Sequence, residues 1–173
     1  MRHLCIVPLI ALILSGCGPK SFVQKSSSME PTIKVDEVIQ VQEDAYRSSS
    51  PQRWDVVVFT PPIYSVAAAS KTDALGMWIF RVVGLPGDIV SFDDAGLLIN
   101  GTTPRDRPSL IKSIQYKETT ASGIPSRPHS PSYPFTVPDG QYFVLGDNPD
   151  HANDSRVWGP LPWSSILGRV ENK

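Results

Sequence analysis

The 173-residue sequence has no run of lysine and arginine, and its 16 basic and 17 acidic side chains leave a formal charge of −1. A chain without a basic face is poorly suited to nucleic acid or to electrostatic attachment to a membrane. Histidine is scarce: His3, His129 and His151 lie far apart, and none stands at metal-ligand spacing from a cysteine. No metal and no cofactor is expected. The N-terminal apolar stretch, Leu4 to Leu14, is too short to span a bilayer, which takes about 20 residues. There is no internal repeat and no amphipathic helix longer than a few turns. What is abundant is proline, 17 residues, beside only 19% charged residues, a balance that suits a β-rich globular protein with exposed loops. The length suits one domain with a real core and is short for two.

Cysteine is nearly absent as well, with only Cys5 and Cys17. Arg2 and His3 form a short polar start before the apolar stretch, and Ser15 and Gly16 are small, which fits a secretory signal. The ending Leu14-Ser15-Gly16-Cys17 resembles the bacterial lipoprotein signal, cleaved before a cysteine that then receives diacylglycerol. Residues 1–16 would leave as the signal and take Cys5 with them. Cys17 would remain with no disulfide partner, free for lipidation. Acyl chains on one residue hold a protein to a membrane because each buried CH₂ adds about 0.8 kcal/mol. The expectation is an exported lipoprotein facing the periplasm or cell exterior, with residues 17–25 as a tether and 26–173 as the folded domain.

Period-two patterning marks the strands. Asp36 to Gln42 places Val35, Ile39 and Val41 on one face, with Glu37 as the exception. Trp54 to Phe59 is nearly continuous in apolar residues, the pattern of a strand buried on both sides. Met77 to Val83 follows a loop containing Ala67, Ala68 and Ala69. Ile89 to Phe92 and Leu97 to Asn100 form a hairpin across the four residues Asp93-Asp94-Ala95-Gly96. Thr102 to Pro138 carries seven prolines and reads as a long surface excursion with a short strand at Ile111 to Tyr116. Gln141 to Leu145 and Ile166 to Glu171 complete the set. The class is mainly β.

Four segments carry the chemistry: Ser26-Ser27-Ser28-Met29-Glu30-Pro31-Thr32; Arg53-Trp54-Asp55-Val56-Val57-Val58-Phe59; Arg81-Val82-Val83-Gly84-Leu85-Pro86-Gly87-Asp88; and Gly146-Asp147-Asn148 with Asp154-Ser155-Arg156 and Trp158-Gly159. In this order they resemble the bacterial type I signal peptidase family, membrane-bound serine proteases that remove signal peptides. The resemblance implies a signal-peptidase-like fold of antiparallel sheets and signal peptides, or other extended segments of exported proteins, as partners. It makes Ser28, directly before Met29, the nucleophile. It makes Ser26 an oxyanion-hole hydroxyl beside the Ser28 backbone N–H, a kind of donor whose loss costs about 10²–10³ in rate. Arg81, Asp154 and Arg156 would form an ion-pair cluster holding the walls of the site.

Two positions depart from the family. Its general base is a lysine immediately before the arginine that maps to Arg81, and here that residue is Phe80. A serine hydroxyl is a poor nucleophile until a base takes its proton, and a phenyl ring accepts none. The family's lysine is held neutral by burial among apolar groups, and a phenylalanine fills such a pocket without unfolding it. The family serine that hydrogen-bonds the lysine maps to Ala152. Both ends of one hydrogen bond are gone together, the sign of one released constraint.

Three readings follow. The first is a lipid-anchored signal-peptidase-like protein with little or no proteolytic activity that binds extended peptides by adding a β-strand, a mode that needs no base. The second is an active signal-peptide-cleaving endopeptidase with a relocated base, His151 or Lys71. Some relatives use histidine, but at the position of Phe80; Lys34 is a further basic residue near Ser28 in sequence. The third is a structural lipoprotein that reuses the fold. Ser28 lies 11 residues beyond Cys17, a reach of at most about 36–40 Å from the lipid in any of the three.

Overall fold

The structure is a computed structural model, and its described residues are 20–62, 76–118 and 130–173. The expected signal segment, Cys17, Lys71 and the alanines at 67–69 lie outside them. The strands are β1 (Lys20–Val23), β2 (Val38–Gln42), β3 (Val56–Phe59), β4 (Trp78–Gly84), β5 (Ile89–Asp93), β6 (Gly96–Ile99), β7 (Phe135–Thr136), β8 (Gln141–Leu145), β9 (Leu161–Pro162) and β10 (Ile166–Val170). Among the described residues the single α-helical turn is α1, Ser155–Trp158. One sheet runs β1-β2-β10-β3-β4-β8-β9, a smaller one β6-β5-β7, and the strand pairs are antiparallel. The mainly β class holds.

β3 sits in the middle of the large sheet between β10 and β4, which is why all four of its residues are apolar and buried. β4 and β8 form a wall between two cores. Phe80 and Val82 face a core built on Met29, Val57, Phe59 and Trp158. Val83 faces a second, with Val90, Leu97, Tyr116 and Phe143. Alternation along β4 therefore sends Phe80 and Arg81 to opposite sides of the sheet.

Several boundaries differ from expectation. Residues 20–23 of the expected tether are the edge strand β1, with Lys20 opposite Val41 and Val23 opposite Val38. Gln24 extends this pairing by donating to Glu37 O and accepting from Asp36 N, so the domain begins before Ser26. The strand expected from Asp36 starts at Val38, because Asp36 has φ 63°, a left-handed turn that ends the alternation. Val35 consequently falls off the buried face and is 43% exposed. The hairpin is tighter than four residues: Asp93 pairs with Gly96, leaving Asp94 and Ala95 as the connection. The Asp93 carboxylate accepts from the N–H groups of Ala95 and Gly96.

Within the excursion, β7 pairs with β5, while no strand forms at 111–116. Ser109–Ile111 is a 3-10 turn, and both Ile111 and Tyr116 are fully buried in the second core. Residues five apart point to opposite faces of an extended strand. Only a coiled path lets both side chains enter one core.

Candidate active site

The serine segment bends sharply between β1 and β2. Ser26 is extended (φ −120°, ψ 158°) and caps the 3-10 turn Ser27–Met29. Its Oγ lies 2.8 Å from Ser28 Oγ and accepts, at a long 3.4 Å, from the Ser28 N–H. Met29 anchors the turn by complete burial, and the Glu30–Pro31 peptide bond that follows it is cis. Ser28 is itself buried, yet it faces a cleft of about 560 Å³ that Ser26 also lines. The two serines thus meet at the edge of the cleft.

The loop after β8 clamps this turn from below. Asn148 donates its backbone N–H to Ser28 O and its side-chain amide to Ser27 O, each at 3.0 Å. Thr32 Oγ1 donates to Asp147 Oδ2. Gly146 sits at the point of closest approach: an added Cβ there would lie 2.5 Å from Ala152 Cβ, 2.6 Å from Ser28 O and 3.2 Å from the Phe80 ring. Ser28, Phe80 and Ala152, far apart in sequence, therefore surround one residue that has to be glycine. Nothing in the sequence alone marks the roles of Asn148 and Thr32, since partners 121 and 115 residues away leave no spacing signature.

On the side of residues 80 and 152 the surroundings of Gly146 are apolar. Phe80 and Ala152 are both buried. The Phe80 ring packs 5.7 Å from Phe59 and 6.1 Å from Trp78, centroid to centroid. The bases proposed elsewhere are placed differently. His151 lines the cleft, but among the described residues its imidazole makes no hydrogen bond to either serine hydroxyl. Lys25 also lines the cleft, and its ammonium is exposed and bound to Asp36 at 2.7 Å. Lys34 is exposed and absent from the cleft wall. Among the described residues no group of three or more His, Cys, Asp or Glu gathers as a metal site would.

The expected ion-pair cluster is two separate pairs. Arg81 binds Asp147, with Nη2 at 2.6 Å and Nε at 2.9 Å, and its Nη1 donates to Trp54 O at 2.8 Å. Trp54 adopts φ 77° at this point, where its N–H meets Val82 O. Asp154 binds Arg156 at 2.8 Å and accepts from the N–H groups of Arg156 and Gly146. Asp154 and Arg81 are not partners, because Arg81 leaves β4 on the face toward Asp147. Asp147 is the residue the sequence reading missed. Burial, with Asp147 beside it, holds the Tyr116 hydroxyl well above its ordinary pKa, so Tyr116 stays a donor to Asp147 at 3.3 Å. The buried charges of Arg81 and Asp147, and of Arg156 and Asp154, are thereby matched.

The sequence profile of the family described as "Signal peptidase, peptidase S26" matches residues 1–172. This chain belongs to that family. The family member is similar to the probable signal peptidase I-2 of Synechocystis sp., with 32% identity over 167 residues, 94% of this chain and 68% of the relative. It is similar to Signal peptidase IB of Staphylococcus aureus, with 31% identity over 150 residues, 84% of this chain and 72% of the relative. Among solved structures, a signal peptidase I from Enterococcus faecalis V583 shares 28% identity with a TM-score of 0.49, covering 70% of this chain and 97% of that one. In this signal peptidase family member, the position immediately before Arg81 is a packed phenyl ring.

Proposed function

We propose that this member of the signal peptidase family binds extended peptides, signal peptides above all, with little or no proteolysis. The observation that carries the reading is the contact of Phe80 and Ala152 with Gly146 beside Ser28, a well-packed arrangement in which neither residue 80 nor residue 152 can accept a proton. Removing one member of a nucleophile–base unit costs on the order of 10⁶ in rate in known serine proteases. Peptide binding needs only a free strand edge. β4 is bonded to β3 from Trp78 onward, but its pairing with β8 begins at Arg81. On that side Trp78 to Phe80 have no strand partner among the described residues, and all three line the cleft beside Ser28.

Incubation of the purified protein with a signal-peptide substrate is expected to give no turnover. Turnover that vanishes in Ser28→Ala would overturn the inactive reading. The double variant Phe80→Lys with Ala152→Ser is expected to recover measurable cleavage, since the Ser26–Ser28 pair and its clamp are in place. A second reading, an active endopeptidase with a displaced base, is favoured by His151 lining the same cleft. It requires a measurable rate that His151→Ala abolishes, and Lys71→Ala serves as the parallel test for the other basic residue.

The reading includes export with a lipid on Cys17, which would hold the cleft near a membrane. Incorporation of labelled palmitate that Cys17→Ser abolishes is the expected result. Unlabelled wild-type protein in the soluble fraction would overturn it.

A further inference from the structure

We infer that the cleft holds the free C-terminal carboxylate of a peptide, so that it retains released fragments in preference to uninterrupted chains. The inference rests on the peptide-binding reading and names the end of the peptide that the site recognises. Hydrogen-bond donors of an oxyanion hole are aimed at charge that develops only when an alcohol attacks a carbonyl. Without a base, that charge never develops here. The donors remain, and an anion that already exists is what they fit.

The donors are specific. In the Ser26–Ser28 pair, 2.8 Å between oxygens, one hydroxyl proton lies between them and the other is left for a ligand. The Ser28 N–H reaches Ser26 Oγ only at 3.4 Å, a weak bond that a carboxylate oxygen would better. His151 lines the same cleft, and its imidazole is a further potential donor.

The charges agree. No aspartate or glutamate lines the cleft. The acid beside it, Asp36, is neutralised by Lys25 at 2.7 Å. Asp147 and Asp154 are matched by Arg81 and Arg156, with Arg81 on the far side of β4 from Phe80. An incoming carboxylate thus meets donors and no unpaired negative charge. Phe22, Val23, Met77 and Ile79 offer apolar wall for the residues preceding it.

The test uses the purified full domain and three fluorescein-labelled peptides of one apolar sequence ending in Ala-Ser-Ala. One ends as the free acid, one as the amide, and one continues for several residues. Anisotropy titration is expected to give the acid about tenfold tighter binding than the other two, the gain of one charge-assisted contact. Ser26→Ala and, independently, His151→Gln are expected to shrink that ratio, each weakening the acid more than the amide. Equal binding of acid and amide would overturn the inference and leave peptide binding standing. An acid preference that survives both substitutions would also overturn it, because the carboxylate would then sit elsewhere. If none of the three binds, the peptide-binding reading fails with it.

Discussion

At the scale of single residues, the site is held by side chains that do no chemistry. Asp147 alone receives Arg81, Thr32 and Tyr116, so its removal strands a guanidinium that is buried to 1% exposure. Asp147→Ala is expected to cost about 3–5 kcal/mol in urea unfolding, the penalty of an uncompensated buried charge. Gly146→Ala is expected to cost about 1–3 kcal/mol and to weaken peptide binding, since the new methyl meets the Ser28 carbonyl at 2.6 Å. Unchanged stability of Gly146→Ala would mean that the serine turn can shift freely, against the clamp described here. At this scale the sequence was legible in part. The identity of residue 80 is chemistry in itself and needs no fold to be read. Which acid Arg81 pairs with is not, because Asp147 lies 66 residues away and Asp154 is equally acidic.

At the scale of elements, hydrophobic patterning placed β2, β3, β4, β8 and β10 close to their observed bounds. It failed where a turn or an isolated anchor overrides a ladder. β1 was hidden because Lys20-Ser21-Phe22-Val23 buries little, its residues being exposed apart from a half-buried Phe22. The segment 111–116 misled for the opposite reason, since Ile111 and Tyr116 are apolar enough for a strand but dock individually. Ile111→Ala is accordingly expected to cost about 2–5 kcal/mol, the cost of a truncated core side chain. A loss under 0.5 kcal/mol on chemical denaturation, typical of surface positions, would remove Ile111 from the core.

At the scale of the whole molecule, the junction between the two sheets carries a pH dependence. Asp88, between β4 and β5, accepts from Arg53, from the Leu85 N–H and from Asn100. Burial works to raise its pKa, but these bonds outweigh it and hold the carboxyl below its ordinary value. A depressed folded-state pKa gives stability that is present above the unfolded value, about 3.9, and is lost as pH falls through the folded one. The melting temperature is therefore expected to drop below pH 4, and to drop less steeply in Asp88→Asn. Parallel curves for the two proteins would show that this junction does not set the acid limit. By itself the sequence determined the β class, the order of the strands' hydrophobic faces, and the want of a proton acceptor before Arg81, because each is a property of neighbouring residues. Only the tertiary structure decided that Phe80, Ala152 and Ser28 close around Gly146, and that Arg81 pairs with Asp147 while Arg156 pairs with Asp154. Those contacts join segments that nothing but the packed sheet brings within reach.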